Sequence, residues 1–273
     1  MTATSPLLEA RNLRKTYGRG GGLFADETTG DRFLAVDDVS FSVQPGETFA
    51  VVGESGCGKT TLARMLLRLI EPDHGAILFE GRDLLQLSGE ALRARRRQMQ
   101  MIFQDPFASL NPRLRVGEIV AEPLAIHEPQ LSRNDRLDRA AQLLLRVGLP
   151  GDAANRYPHE FSGGQRQRIG IARALILRPS LIIADEPVSA LDVSVGAQVL
   201  LLLQELQQEF RLTYLLISHS LPVVAQLASH IAVMRAGRFV ECDPADLILH
   251  QPTHIYTREL LAAVPEIPTA RSL

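Results

Sequence analysis

The 273-residue sequence predicts an α/β fold with a mainly parallel sheet, because short apolar strands alternate with segments of helical periodicity. Extended segments are expected at residues 8–13, 35–43 and 48–52, and in the runs LIIA and YLLIS. Helices are expected at residues 61–70, 134–147 and 195–210, with Gly148 ending the second. The run VMRAGRFVE predicts a hairpin that turns at residues 235–237.

The chain is expected to form one large domain, residues 1–242, followed by a helical tail, residues 243–273. Residues 84–175 have a mostly helical pattern and predict a helical subdomain inserted into the large domain, which also carries an antiparallel β subdomain. Residues 18–31 are rich in glycine and polar side chains and predict a loop insertion.

Composition and charge narrow the function classes. The 29 basic against 31 acidic side chains exclude a global basic field that would favour nucleic acid. Cys57 and Cys242 are too few for a disulfide framework or a four-cysteine metal site, so a reducing compartment is expected. The first residues lack the pattern of a secretory signal, and no apolar run reaches membrane-spanning length. Other proteins would therefore span any membrane at which this chain works.

The segment GESGCGKT, residues 53–60, predicts the phosphate-binding loop of a P-loop NTPase core, because its GxxxxGK[ST] spacing lies between a predicted strand and a predicted helix. Lys59 would reach the β- and γ-phosphates of ATP, and the Thr60 hydroxyl would bind Mg²⁺. A flexible glycine turn is the alternative. The residues expected to contact the nucleotide here are Gly53, Glu54, Ser55, Gly56, Cys57, Gly58, Lys59, Thr60 and Thr61.

The segment LIIADE delivers two carboxylates to the carboxyl end of a buried strand, where ligands bind in open α/β folds. Asp185 is suited to hold Mg²⁺, and Glu186 to orient and polarise a water for attack on the γ-phosphate. Solvated acids at a strand end are the alternative, which the complete phosphate loop makes less favourable.

The segment FSGGQRQR, residues 161–168, predicts a second phosphate site. Ser162 and Gln165 have the spacing of a helix capping box. Gly163 and Gly164 each sacrifice up to about 1 kcal/mol of helix propensity relative to alanine, so their small size must serve a purpose. Close approach of an anion to the helix N-terminus would explain it. Since one γ-phosphate cannot easily be wrapped twice within one subunit, a dimer is predicted.

Together with SALD, residues 189–192, and Ser218-His219, these motifs resemble those of ATP-binding cassette proteins over nearly the whole chain. The resemblance implies that the signature segment 162–165 of one subunit closes on the nucleotide bound to the other. It also implies that Tyr17 stacks on adenine, that Gln104 senses the γ-phosphate and contributes to the Mg²⁺ site, and that Asp192 communicates across the dimer. His219 would contact the γ-phosphate and take part in catalysis with Lys59 and Glu186.

Two residues depart from the commoner pattern of that family. Phe161 stands where leucine is commoner, and Ser220 where aspartate is usual, but neither replacement removes a catalytic atom. The weaker assignments have structural alternatives: Tyr17 as a packed aromatic, Gln104 as a surface amide and His219 as an ordinary histidine at a strand end.

Two further groups have simpler interpretations. The basic run Arg93, Arg95, Arg96 and Arg97 is expected to form a solvated helix face, with contact to phospholipid or a partner as the alternative. His250 and His254 have helical spacing suitable for a metal, but without an evident third ligand they are interpreted as structural.

Four segments resemble the ATPase subunits of bacterial oligopeptide and dipeptide importers: the insertion after Tyr17, FQDPFASLNPRLRVGEIVAEPL, YPHEFSGGQRQRIGIARAL and THIYTRELLAAVP. The resemblance implies a peripheral protein at the cytoplasmic face of the cell membrane. Its partners would be a second ATPase subunit, in a homo- or heterodimer, two membrane permease subunits and an external solute-binding protein. Residues of about 105–122 would contact the permeases.

Other functions stay open at this point. Nickel, glutathione or another small solute could be the cargo, because cargo never touches this chain. A soluble cassette ATPase of nucleic-acid repair or translation is the rival from another class, but such relatives usually carry a coiled-coil insertion or two cassettes, and neither is seen here. A small-molecule kinase would not need residues 162–165.

Overall fold

The computed structural model describes residues 5–18, 32–105 and 109–263. The chain divides into two compact units, one formed by Met1–Leu87 with Ile217–Leu273 and the other by Ser88–Leu216. Apart from Gly18, the predicted loop insertion lies outside the described residues. The predicted division into a domain, residues 1–242, and a tail, residues 243–273, stays a prediction.

The strands are β1 (Leu8–Gly18), β2 (Arg32–Val43), β3 (Thr48–Val52), β4 (His74–Phe79), β5 (Arg82–Asp83), β6 (Met99–Ile102), β7 (Leu181–Asp185), β8 (Thr213–Ser218), β9 (His230–Arg235) and β10 (Arg238–Pro244). The helices are α1 (Lys59–Leu66), α2 (Gly89–Gln98), α3 (Val116–His127), α4 (Arg133–Arg146), α5 (Gly163–Leu175), α6 (Val193–Phe210), α7 (Leu221–Leu227), α8 (Ala245–His250) and α9 (Ile255–Ala262). Strand β8 crosses the boundary between the units along the chain.

The first unit contains an antiparallel sheet in the order β2-β1-β4-β5. Strand β1 pairs with β2 from Leu8 opposite Val43 to Gly18 opposite Arg32, so it runs five residues beyond the predicted end at residue 13. Its register shifts three times along this length. Bulges of this kind bend and twist a strand, and they interrupt the alternation of apolar residues from which strands are predicted.

The first unit also contributes parallel pairing. Strand β3 pairs in parallel with β9, from Phe49 opposite His230 to Val52 opposite Val233, and all five residues of β3 are buried. Strands β9 and β10 form the predicted hairpin, whose turn residues Ala236 and Gly237 have φ of 47° and 83°. Positive φ at both positions suits the tight hairpin turn. The prediction of this hairpin is confirmed.

The second unit combines parallel strands with helices. Strands β6 and β7 pair in parallel from Met99 opposite Leu181 to Ile102 opposite Ala184, and β7 is fully buried. Helices α2 to α5 lie within residues 84–175, as the helical pattern predicts, but this stretch also contains β6, which the pattern does not predict. Helix α4 is followed by Gly148 at φ 79°, in agreement with its predicted end. Antiparallel and parallel sheets with helices confirm the predicted α/β fold class.

Candidate nucleotide-binding site

The segment between β3 and α1 has the backbone of a phosphate-binding loop. Gly56 and Gly58 have φ of 83° and 113°, which other residues rarely adopt. No described heavy atom lies within 4 Å of the position that a Cβ of Gly56 would occupy, whereas a Cβ on Gly58 would lie 2.1 Å from the Ala35 carbonyl oxygen. The backbone at Gly56 is therefore open to close approach, while Gly58 fits only because it has no side chain.

The Lys59 side chain is held against this loop. Its ammonium donates to the carbonyl oxygens of Gly53 at 2.6 Å and Glu54 at 2.9 Å, and the residue is 5% exposed. A buried ammonium requires such partners, because an unpaired charge away from water is costly. The loop thus fixes a positive charge beside backbone that can approach phosphate oxygens.

Cys57 serves the loop through its backbone. Burial raises the pKa of its thiol, with an opposing effect from the Lys59 charge, so the reactive thiolate is disfavoured. Its carbonyl oxygen accepts a hydrogen bond from the Gly237 N–H at 2.9 Å, which ties the loop to the β9–β10 turn.

Two other predicted residues belong to the first unit. Tyr17, near the end of β1, is 41% exposed. His219 is exposed directly after β8. At the same strand end, the Ser218 hydroxyl accepts a hydrogen bond from the Ser220 backbone N–H at 2.9 Å, a contact that does not depend on the side chain at position 220. The roles of Tyr17 and His219 stay predictions.

The second unit brings Gln104 and Glu186 together. Asp185 ends β7 and is 3% exposed. Glu186 follows at φ 47°, a left-handed conformation that costs a residue with a side chain roughly 1–2 kcal/mol. The Gln104 amide donates to the Glu186 carboxylate at 2.8 Å. Strain of this kind is typical of functional sites, and here it accompanies a carboxylate whose orientation a second side chain controls.

The turn that holds Glu186 is closed by its own neighbours. The backbone N–H and the hydroxyl of Ser189 both donate to the Glu186 carbonyl oxygen, at 3.2 Å and 3.1 Å. Ser189 opens the SALD segment, and Asp192 at the end of that segment precedes helix α6 as its N-cap residue. The segment that closes this turn therefore leads directly into α6.

The signature segment begins helix α5 with the predicted capping box. The Ser162 hydroxyl accepts from the Gln165 N–H at 3.4 Å, and the Gln165 side chain accepts from the Ser162 N–H at 3.0 Å. The structure adds a reason for Gly164 that the sequence did not reveal. A Cβ there would lie 2.3 Å from a methyl carbon of Val195, whereas a Cβ on Gly163 would meet Leu191 at an ordinary 3.5 Å. Packing against α6 therefore requires glycine at position 164.

The arginine run has specific partners in the structure. Arg97 and Arg139 both pair with Glu128 at the end of α3, and Arg93 donates to the Ile126 carbonyl oxygen at 3.3 Å. Helix α2 is therefore tied to the C-terminal end of α3. Contacts within the unit thus account for two members of the run, Arg93 and Arg97, which favours a structural interpretation of these two over contact with phospholipid or a partner.

His254 in the tail has a contact that bears on its interpretation as a structural residue. The His254 ring nitrogen Nδ1 accepts from the Tyr256 N–H at 3.2 Å and so caps helix α9, which is a structural role. Within residues 5–18, 32–105 and 109–263, no group of three or more His, Cys, Asp or Glu residues is arranged to hold a metal ion.

One contact to the loop was not predicted from the sequence. The Tyr256 hydroxyl accepts a hydrogen bond from the Glu54 N–H at 3.3 Å. The two residues are 202 positions apart, and neither motif spacing nor periodicity relates them.

Comparisons with known proteins agree with this geometry. The family model described as ABC transporter matches residues 36–189. The chain is 54% identical over 266 residues to the probable peptide ABC transporter ATP-binding protein y4tS of Sinorhizobium fredii, covering 97% of this chain and 74% of that protein. It is 52% identical over 268 residues to the oligopeptide transport ATP-binding protein AppF of Bacillus subtilis, covering 97% and 80%.

A solved structure gives the same result for the fold. The dimeric cassette MJ0796, in a post-hydrolysis state bound to ADP and Pi, superposes with a TM-score of 0.75 at 29% identity, over 87% of this chain and 98% of that one.

The family model and the similar sequences show that the chain belongs to the ABC transporter family. It is an ATPase, the ATP-binding subunit of an importer. The membership of the ATP-binding cassette family that its motifs indicate is confirmed. Among the helices of the described residues, none combines the length and apolarity needed to cross a membrane.

Proposed function

We propose that this chain powers the uptake of oligopeptides or dipeptides through separate membrane subunits. The observation that carries the proposal is the identity of 54% and 52%, over 97% of the chain, to ATP-binding proteins named for peptide and oligopeptide transport. The match over 97% of the chain extends across both units. The chain would work as a peripheral protein at the cytoplasmic face of the cell membrane.

The proposed roles in the first unit concern nucleotide binding. Lys59 binds the β- and γ-phosphates from its position against the loop carbonyls, and the open backbone at Gly56 allows N–H groups to approach phosphate oxygens. Tyr17 stacks on adenine with its exposed ring. His219 contacts the γ-phosphate. The remaining loop residues, Gly53, Glu54, Ser55, Cys57, Gly58, Thr60 and Thr61, surround the phosphates.

The proposed roles in the second unit concern hydrolysis. Glu186 accepts a proton from the attacking water, and Gln104 orients its carboxylate through the 2.8 Å hydrogen bond. Asp185 and Gln104 would offer Mg²⁺ oxygen atoms of the kind that it prefers. Thr60 of the first unit carries a hydroxyl of suitable chemistry and is proposed for the same ion. When bound, Mg²⁺ would neutralise negative charge on the phosphates.

The working unit is proposed to be a dimer, with itself or with a second ATPase subunit. Residues 162–165 of one subunit would close on the nucleotide held by the other, because the N-terminus of a helix such as α5 favours a bound anion. Two permease subunits and an external solute-binding protein complete the proposed importer. We also propose that residues 1–242 form the cassette, including a helical insertion at 84–175, and that residues 243–273 form its tail.

Reconstitution tests this function and separates the possible cargoes. The chain is co-purified with its permease subunits and second ATPase subunit in lipid vesicles, and ATP hydrolysis is measured with the solute-binding protein and a candidate solute. A mixture of di- to hexapeptides should stimulate hydrolysis and accumulate in the vesicles. Stimulation by nickel or glutathione but not by peptides would contradict peptide uptake. Recovery of the chain with ribosomes or DNA, rather than with membranes, would contradict any role in transport.

A further inference from the structure

The peptide group between Gly53 and Glu54 is held at both edges by side chains. Its carbonyl oxygen, on Gly53, accepts from the Lys59 ammonium at 2.6 Å. Its N–H, on Glu54, donates to the Tyr256 hydroxyl at 3.3 Å. Because the C=O and N–H of a trans peptide point in opposite directions, Lys59 and Tyr256 lie at opposite edges of one rigid plane. Rotation of this peptide would therefore disturb both contacts together.

Tyr256 is fixed well enough to act as a support. The residue is 3% exposed, and the Arg235 guanidinium carbon lies 4.6 Å from its ring centroid. Burial raises the pKa of its phenol, so the hydroxyl is neutral near pH 7. The Tyr256 N–H donates to the ring of His254, which fixes the residue in the first turn of α9.

The start of α9 is in turn anchored to strand β10. The Glu241 carboxylate accepts from the Thr253 N–H at 2.7 Å, from the Thr253 hydroxyl at 2.8 Å and from the His254 N–H at 3.2 Å. Burial opposes ionisation of Glu241, but the hydrogen bonds from Thr253 and His254 lower its pKa to about 2. The carboxylate is thus charged at neutral pH, and it holds the tail where Tyr256 meets the loop.

We propose that Tyr256 is a positioning residue for the phosphate loop. Its hydroxyl fixes the Gly53–Glu54 peptide, whose carbonyl holds the Lys59 ammonium in the position that binds phosphate. The inference rests on the phosphate-binding role proposed for Lys59. Tyr256 acts through the peptide without touching the nucleotide, so the tail of the chain contributes to affinity for ATP.

The test is Tyr256→Phe in the full chain. Phenylalanine keeps the buried ring and its contact with Arg235 but removes the oxygen that accepts from the Glu54 N–H. The dissociation constant for Mg-ATP, measured by calorimetry, should rise about threefold to tenfold, the equivalent of one net hydrogen bond. In the assembled transporter, KM for ATP should rise by the same factor while kcat changes by less than about twofold.

Tyr214→Phe is the matched control, because the Tyr214 hydroxyl is also buried and donates to a backbone carbonyl, that of Leu203, at 3.0 Å. It should lower the melting temperature at least as much as Tyr256→Phe and leave the affinity for ATP unchanged. If Tyr256→Phe binds ATP like the parent, or if both variants lose affinity in proportion to melting temperature, Tyr256 does not position the loop. Lys59→Ala distinguishes failure of the inference about Tyr256 from failure of the role proposed for Lys59. Normal ATP binding by that variant would overturn the phosphate-binding role of Lys59 itself.

Discussion

Replacing Gly164 by alanine tests whether packing within the second unit requires glycine in the signature segment. The new Cβ would lie 2.3 Å from a Val195 methyl carbon, more than 1 Å inside ordinary contact. Val195 lies in the first turn of α6, where a β-branched side chain has essentially one χ1 rotamer and cannot easily rotate away. Helix α5 must therefore shift, or the side chains must strain.

The magnitude follows from two opposing effects. Overpacking costs about 1–3 kcal/mol, and alanine recovers up to about 1 kcal/mol of helix propensity. The net destabilisation should be about 1 kcal/mol, or roughly 2–4 °C in melting temperature for a unit of this size. Thermal unfolding without nucleotide isolates this effect from any contact with phosphate.

Gly163→Ala and Val195→Ala provide the controls. A Cβ on Gly163 lies at an ordinary 3.5 Å from Leu191, so Gly163→Ala should leave the melting temperature unchanged or slightly raised. Val195→Ala makes room for the new methyl, so the double variant Gly164→Ala with Val195→Ala should be more stable than the sum of the single changes predicts, by about 1 kcal/mol. The packing explanation is refuted if Gly164→Ala is as stable as Gly163→Ala, or if the double variant is merely additive.

Three further perturbations follow from the structure. The pKa of Glu241 is lowered from 4.5 to about 2, so its contribution to stability should be complete above pH 4.5 and lost as pH falls toward 2. Glu241→Gln should remove this part of the pH dependence of the melting temperature, measured by thermal unfolding. Gly58→Ala should weaken ATP binding, measured by calorimetry, at least about tenfold, because Gly58 has φ 113° and a Cβ there would lie 2.1 Å from a carbonyl oxygen. Gly56→Ala should weaken it by less, since no described heavy atom lies within 4 Å of the Cβ position of Gly56. Gln104→Ala should lower kcat about 10- to 100-fold in the assembled transporter, because the Glu186 carboxylate loses the hydrogen bond that orients it. An unchanged kcat would contradict this orienting role of Gln104.

The elements of this fold that could be predicted from sequence are those specified by local patterns. Strand β3, the phosphate loop and the β9–β10 hairpin each combine a buried run with its own turn residues, so their positions were predicted within a few residues. Strand β6 was not predicted, because four residues that follow an arginine-rich helix carry too little periodicity. Strand β1 was predicted too short, because its bulges break the alternation beyond Leu13.

The candidate site divides in the same way. Motif spacing selected Lys59, Glu186 and the start of α5, since each lies beside a recognisable element. The contacts that orient these residues could not be predicted from the sequence, because Gln104 and Glu186 are 82 positions apart in the chain and Glu54 and Tyr256 are 202 apart. Such pairs depend on tertiary packing, and a single sequence carries no local signal for them.

Trapping of nucleotide tests the proposed dimer most directly. Glu186→Gln should bind ATP but not hydrolyse it, because glutamine cannot accept the proton of the attacking water. The transporter carrying this change, incubated with Mg-ATP and passed through a desalting column, should retain ATP in a closed state. Adding Ser162→Arg should abolish retention while initial ATP binding, measured at equilibrium, persists. Retention that is unaffected by Ser162→Arg would contradict closure of the signature segment on a neighbour's nucleotide.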